Sequence, residues 1–82
     1  MIVMFYVYVL QGPKQFYIGS TNNLRRRFAE HKANTVFSTK NRGPWKLVYY
    51  EASEDEKSTR AREKYLKTAW GKRYLKSRLG DK

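Results

Sequence analysis

The sequence contains no cysteine. That excludes a disulfide-stapled scaffold and any thiolate metal site, and it fits a reducing, cytoplasmic setting. It contains a single histidine, His31, which argues against a zinc site, because such sites draw on several His or Cys ligands. Acids are scarce: seven Asp and Glu stand against 18 Lys and Arg, for a net charge of +11. No hydrophobic run approaches the roughly 20 residues that a membrane span needs. The apolar start, Met1–Leu10, lacks the basic leader and small-residue cleavage site of a signal peptide. Internal repeats, linkers and low-complexity stretches are absent as well.

What remains is a short basic chain with enough apolar material to fold. At 82 residues it is expected to form one domain, 1–82. A domain of this size buries only about 60% of the surface its unfolded chain exposes, so its core must be thin and well filled. Forty per cent hydrophobic and 16% aromatic residues suffice for that, and they set the chain apart from a disordered tail. The positive charge calls for a polyanionic partner, nucleic acid before an anionic membrane surface, because phosphate neutralisation supplies the affinity. Charge alone says nothing of chemistry, and most small basic domains only bind.

The pattern along the chain predicts β-β-α-β-α-α. Ile2–Leu10, rich in Val, Tyr and Phe, reads as a strand, Gln11–Gln15 as a turn and Phe16–Gly19 as the second strand of a hairpin. Asn22 or Asn23 caps a helix to about Ala33, Asn34–Pro44 is a polar loop, and Trp45–Glu51 is a third strand. Ser53 followed by Glu56 has the form of a capping box opening a long helix. Gly71 interrupts that helix, and a last helical piece covers about Lys72–Leu79. The fold class is therefore α+β: a small, three-stranded, mostly antiparallel sheet with flanking helices.

Helical spacing places Leu24, Phe28 and His31 on one stripe facing the sheet, with Arg25 and Arg26 pointing away and Arg27 at its edge. Two readings of Arg27 are open, an ion pair with one of the acids or a clamp on phosphate. Ala61, Tyr65, Leu66, Ala69 and Trp70 form the apolar side of the second helix, with Glu63 at its edge. On pattern alone Glu63 is a surface acid pairing with Arg60 or Lys67, and Arg62, near the same side, has no account. Tyr6, Tyr8 and Tyr17 on the strands each read singly as packing. A lone histidine on an apolar stripe is ordinarily a satisfied core residue, and core packing is the expectation for Trp45 and Trp70.

Taken together, "VYVL" followed by "FYIGSTNNLRRRFAEH" resembles the GIY-YIG nuclease superfamily. Tyr17-Ile18-Gly19 matches the second half-motif literally; Tyr6-Val7-Tyr8 corresponds to the first, with Tyr6 in place of its glycine. Arg27 stands ten residues after Tyr17, where the family keeps an arginine, His31 follows where members carry His or Tyr, and "AREKYLK" resembles the later helix, with Glu63 as its glutamate. Ser20 takes a position where some members have lysine, and the late Asn or Gln of many members has no clear counterpart. The resemblance covers nearly the whole chain and is closest to short, single-domain members related to excision-repair and structure-specific endonucleases.

That resemblance implies a metal-dependent endonuclease acting on DNA, with RNA as a second candidate substrate. Glu63 would hold one Mg²⁺ or Mn²⁺, Arg27 would clamp a phosphate oxygen, and Tyr17 would activate the attacking water. Tyr8 would hydrogen-bond Tyr17, the water or the phosphate, and His31 would donate to the phosphate or share the proton. Lys40, Arg42, Lys72 and Arg73 are the expected strand contacts. Two other readings compete: a non-catalytic nucleic-acid-binding module, and an interaction subunit that depends on a protein partner for its target.

Overall fold

The computed structural model describes residues 3–80. Its elements follow the expected order: β1 (Phe5–Gln11), β2 (Phe16–Thr21), α1 (Leu24–Lys32), β3 (Lys46–Ser53), α2 (Glu56–Leu66) and α3 (Ala69–Leu79). The expected start of β1 at Ile2 lies outside the described residues. The sheet is antiparallel in the order β2-β1-β3. As the central strand, β1 buries Val7, Tyr8, Val9 and Leu10 in succession, which requires cover on both faces.

Strand alternation divides the core in two. Val7 and Val9 face α2 and α3, joining Ile18, Leu66 and Leu75, with Val48, Tyr49 and Tyr74 packed around them. Tyr8 and Leu10 face the other way and join Trp45, with Tyr17, Leu24, Phe28 and Leu47 alongside. The stripe predicted for α1 is therefore the one that packs on the sheet.

The helix ends show local chemistry at work. Asn23 caps α1 through its side chain, which accepts from the Arg26 N–H at 3.0 Å. At the other end Asn34, at φ 65°, closes a Schellman motif: its N–H reaches the His31 carbonyl and the Thr35 N–H reaches that of Glu30. The cap of α2 is Asp55 and not the expected Ser53: the Asp55 carboxylate accepts from the Ser58 N–H at 3.1 Å. Ser53 still belongs to β3, and its hydroxyl accepts from the Asp55 N–H, shaping the turn one step earlier.

Gly71 does not break the last helix. The chain turns at Lys67 and Thr68, Thr68 caps α3, and Gly71 lies buried within its first turn. A Cβ there would collide with the Tyr65 carbonyl oxygen and the Leu66 backbone, so the glycine allows the start of α3 to close on the end of α2. The inward face of α2 keeps the expected Leu66 but otherwise differs from the expected one. Thr59 and Leu66 are buried with Arg62 and Glu63 half-buried between them, while Ala61 and Tyr65 are exposed. Trp70, expected in the core, is 67% exposed, with the Arg73 guanidinium 5.0 Å from its ring centroid.

Candidate active site

The site grows from one register pair. Tyr8 on β1 lies opposite Gly19 on β2. A Cβ on Gly19 would stand 2.6 Å from the Tyr8 hydroxyl oxygen and 3.0 Å from the Tyr17 ring. Only the absent side chain lets the two tyrosine rings close over this point, with centroids 6.3 Å apart. The next residue, Ser20, faces the opposite side of the sheet, and its hydroxyl donates to Glu63 Oε1 at 2.6 Å. The aromatic cluster and the carboxylate thus meet the edge strand at adjacent residues from opposite faces.

On the α1 side, the Tyr8 hydroxyl and His31 Nε2 are 2.8 Å apart, and His31 Nδ1 is 2.7 Å from Thr39 Oγ1. All three side chains are at most 1% exposed. The directions close consistently when Thr39 donates to the Val36 carbonyl and accepts from Nδ1–H, which leaves Nε2 to accept from Tyr8. Burial pushes the Tyr8 phenol up to about 12, against the opposing pull of an Arg27 hydrogen bond. Burial, and then the Arg27 charge, lowers His31 and favours the neutral imidazole. Tyr17 is half-buried, its ring 5.1 Å from that of His31, and its hydroxyl accepts from Ser38 Oγ at 3.3 Å.

Arg27 satisfies part of each reading left open for it. Its Nη1 pairs with Glu30 at 3.0 Å, one turn along α1, and this bond is the main reason its pKa rises. The Tyr8 phenol also raises it, which sets the guanidinium near the aromatic cluster. At 37% and 40% side-chain exposure such a pair contributes about 1 kcal/mol or less, and it leaves other N–H groups of the fork to serve another anion.

Glu63 is held on both oxygens, by Ser20 and by Lys67 Nζ at 2.9 Å. Arg60, the other expected partner, pairs with Glu56. Burial raises the Glu63 carboxyl, but the Ser20 and Lys67 bonds outweigh it and the group stays below the ordinary carboxylate range. Its charge bears on the Tyr8 phenol across the strand. Among the described residues no group of three or more His, Cys, Asp or Glu gathers as a metal cage. A single ionised carboxylate fits Mg²⁺ or Mn²⁺, hard ions that keep several waters and take one or two carboxylates plus phosphate oxygens.

Arg62 finds its account here as a structural residue. It makes a two-pronged pair with Glu51 on β3, at 2.8 and 2.9 Å, and stacks over Tyr65 and Tyr74. Lys40 and Arg42 are exposed in the loop that follows Thr39. Lys72 lines a cleft of about 960 Å³ that also contains Tyr17, Lys46, Lys67 and Lys76, over an apolar floor. Arg73 is exposed on the same helix, stacked on Trp70. Sequence reasoning missed Ser38 and Thr39, which sit in a polar loop with no periodicity to mark them.

The family described as the GIY-YIG catalytic domain matches residues 4–76. The chain belongs to the GIY-YIG family. It is 41% identical over 66 residues to a UPF0213 protein of Clostridium perfringens (strain 13 / Type A), covering 78% of this chain and 71% of that one. It is 37% identical over 67 residues to a UPF0213 protein of Limosilactobacillus reuteri (strain DSM 20016), covering 77% and 70%. No solved structure matches it significantly. The GIY-YIG family carries nuclease-type activity, generally with divalent metal ions, on nucleic acid.

One departure from the family motif has a local explanation. Tyr6, in place of the first glycine, pairs with Thr21 and packs edge-on against Tyr50 at 6.1 Å. It lines a hollow with Asn22, Leu24 and Phe28, and the glycine that the tyrosine pair depends on is Gly19.

Proposed function

We propose that this chain is an endonuclease that hydrolyses phosphodiester bonds in DNA with one divalent metal ion. The observation that carries this reading is the closure of Tyr8 and Tyr17 over Gly19, with His31 bonded to Tyr8, while Glu63 meets the adjacent Ser20. A module that only binds nucleic acid has no use for a carboxylate held ionised beside its phosphate site.

Glu63 is the residue that would hold Mg²⁺ or Mn²⁺. The ion, when bound, would offset charge developing on the phosphate and leaving oxygens. Arg27 turns part of its fork toward the same phosphate, a planar cation suited to a non-bridging oxygen. The tyrosines divide the remaining work by exposure. Tyr8 is buried and its proton is tightly held, so it orients rather than accepts. Tyr17 is half-exposed beside Ser38, where water and substrate reach it; as the phenolate it would take the proton of the attacking water and become the neutral phenol. Neutral His31 anchors Tyr8 and shields the cluster from bulk solvent. Lys40, Arg42, Lys72 and Arg73 neutralise the flanking phosphates.

The test is cleavage of labelled single-stranded, duplex and branched DNA with Mg²⁺, with Mn²⁺ and with EDTA. Cleavage should need metal, and Glu63→Ala should abolish it while DNA binding persists. Arg27→Ala should lose on the order of 10²-fold in rate. A Glu63→Ala protein that cuts at the wild-type rate would refute the metal assignment.

A further inference from the structure

Phe37 is 96% exposed, the most exposed large hydrophobic side chain among the described residues. A single exposed apolar residue is ordinary, but this one is displayed on a rigid mount. It sits with Ser38 at the tip of a turn closed by the Thr39 N–H on the Val36 carbonyl at 3.1 Å. Both ends of the turn are anchored: Val36 is buried, and Thr39 is buried against His31 while its carbonyl accepts from Trp45 Nε1 at 3.2 Å. Below the turn, Asn34 and Asn41, both at φ 65°, clasp each other through two hydrogen bonds of 3.0 and 2.7 Å. The backbone that carries Phe37 is therefore fixed before any ligand arrives.

The mount stands beside the reacting groups. Ser38, the neighbour of Phe37, donates to the Tyr17 hydroxyl. The surrounding stretch is free of acids from His31 to Tyr50 and carries Lys40 and Arg42 just beyond the turn. A platform for a protein would continue the apolar surface, whereas the exposed neighbours of Phe37 along the loop are Thr35, Ser38 and Lys40. One aromatic ring on an anchored turn, with Lys40 and Arg42 just beyond it and the Tyr17 hydroxyl bonded to its neighbour Ser38, matches a nucleobase whose phosphate is under attack.

We propose that Phe37 is a stacking platform for the nucleobase adjoining the scissile phosphate, setting the register of the strand against Tyr17. This rests on the nuclease reading above and adds to it a residue that fixes which phosphate enters the site.

The experiment uses short oligonucleotides, single-stranded and forked, carrying 2-aminopurine at successive positions around the cut, with EDTA present to prevent cleavage. Quenching by the wild-type protein should peak where the fluorescent base adjoins the cleaved bond. Phe37→Ala should lose that quenching and bind about tenfold more weakly, the scale of one stacked base. Phe37→Leu should fail likewise, Phe37→Trp should restore both, and all should melt at the wild-type temperature because the ring packs on nothing. Equal quenching and affinity in Phe37→Ala, with the wild type binding and cutting normally, overturns the stacking role alone and leaves the ring as a contact for a protein partner. Failure of the wild type to bind or cut any oligonucleotide overturns the nuclease reading and this inference together.

Discussion

Gly19 shows how much of the site hangs on a missing methyl group. In Gly19→Ala the new Cβ meets the Tyr8 hydroxyl at 2.6 Å and the Tyr17 ring at 3.0 Å, and Tyr8 has no room to retreat because it is itself buried. The Tyr8–His31 bond should break and the tyrosine pair should spread. The expected cost is about 1–3 kcal/mol of stability, as for other overpacked cores, with cleavage reduced well beyond what the loss of folded protein explains. Urea unfolding beside a cleavage assay at low temperature separates the two effects. His31 adds a pH signature. Its folded-state pKa is depressed, so the folded protein binds fewer protons than the unfolded chain, and stability falls on acidification below about pH 6.5. The melting temperature should drop as the pH falls below about 6.5, and His31→Gln should flatten that drop. Much of this cluster was legible beforehand: spacing put Leu24, Phe28 and His31 on one stripe, and the family resemblance picked out Tyr8, Tyr17, Arg27 and Glu63. Thr39 was not legible, because a loop residue that touches a helix residue eight positions back leaves no periodic trace.

Among elements, the informative contacts are those that position α2 against the sheet, since α2 carries Glu63. Glu51 on β3 receives both prongs of Arg62 and the Tyr49 hydroxyl at 2.6 Å, while Tyr49 also meets Tyr74 of α3 at 3.1 Å. This network ties one strand to two helices. Glu51→Ala leaves Arg62 without its carboxylate and should cost on the order of 1–2 kcal/mol, tempered by partial solvent access. Metal-dependent cleavage should fall with it as α2 loosens. At the corner, Gly71→Ala sets two effects against each other. Helix propensity favours alanine by about 1 kcal/mol, but the new Cβ would strike the backbone of Leu66. The clash wins, and unfolding free energy should fall by about 2 kcal/mol or more; a stabilised Gly71→Ala protein would contradict this packing. Reading Gly71 as a helix breaker was the natural use of propensity, and it failed because propensity ignores a neighbouring helix. The inward face of α2 was misjudged for a related reason. Hydrophobicity pointed to Leu66, Ala61 and Tyr65, whereas burial kept Leu66, added Thr59 and filled the space between them with Arg62, paired to Glu51, and Glu63, held by Ser20 and Lys67.

For the molecule as a whole, the net charge of +11 has to be divided into charges that touch substrate and charges that merely face water. The geometry suggests two groups. Lys40 and Arg42 follow the Thr39 anchor, and Lys72 shares a cleft with Tyr17 and with Lys67, the partner of Glu63. A strand that ran from the loop past Tyr17 into that cleft would meet both groups. Each phosphate contact releases condensed counterions, so the slope of log affinity against log salt counts contacts without reference to sequence. Replacing Lys40 and Arg42 by Gln should flatten that slope by about 1.5, and replacing Lys72 and Arg73 should do the same if both groups hold the strand. Neither pair should change the melting temperature much, since all four residues are exposed. Titrations of one oligonucleotide over a range of potassium chloride concentrations, in EDTA, would measure this. An unchanged slope for the Lys72 and Arg73 pair would confine the substrate to the loop side and mark the lysines of the cleft as solvated surface. Slopes reduced by both pairs, and by more when the pairs are combined, would trace one continuous path for the strand across the two faces that meet at Gly19 and Ser20.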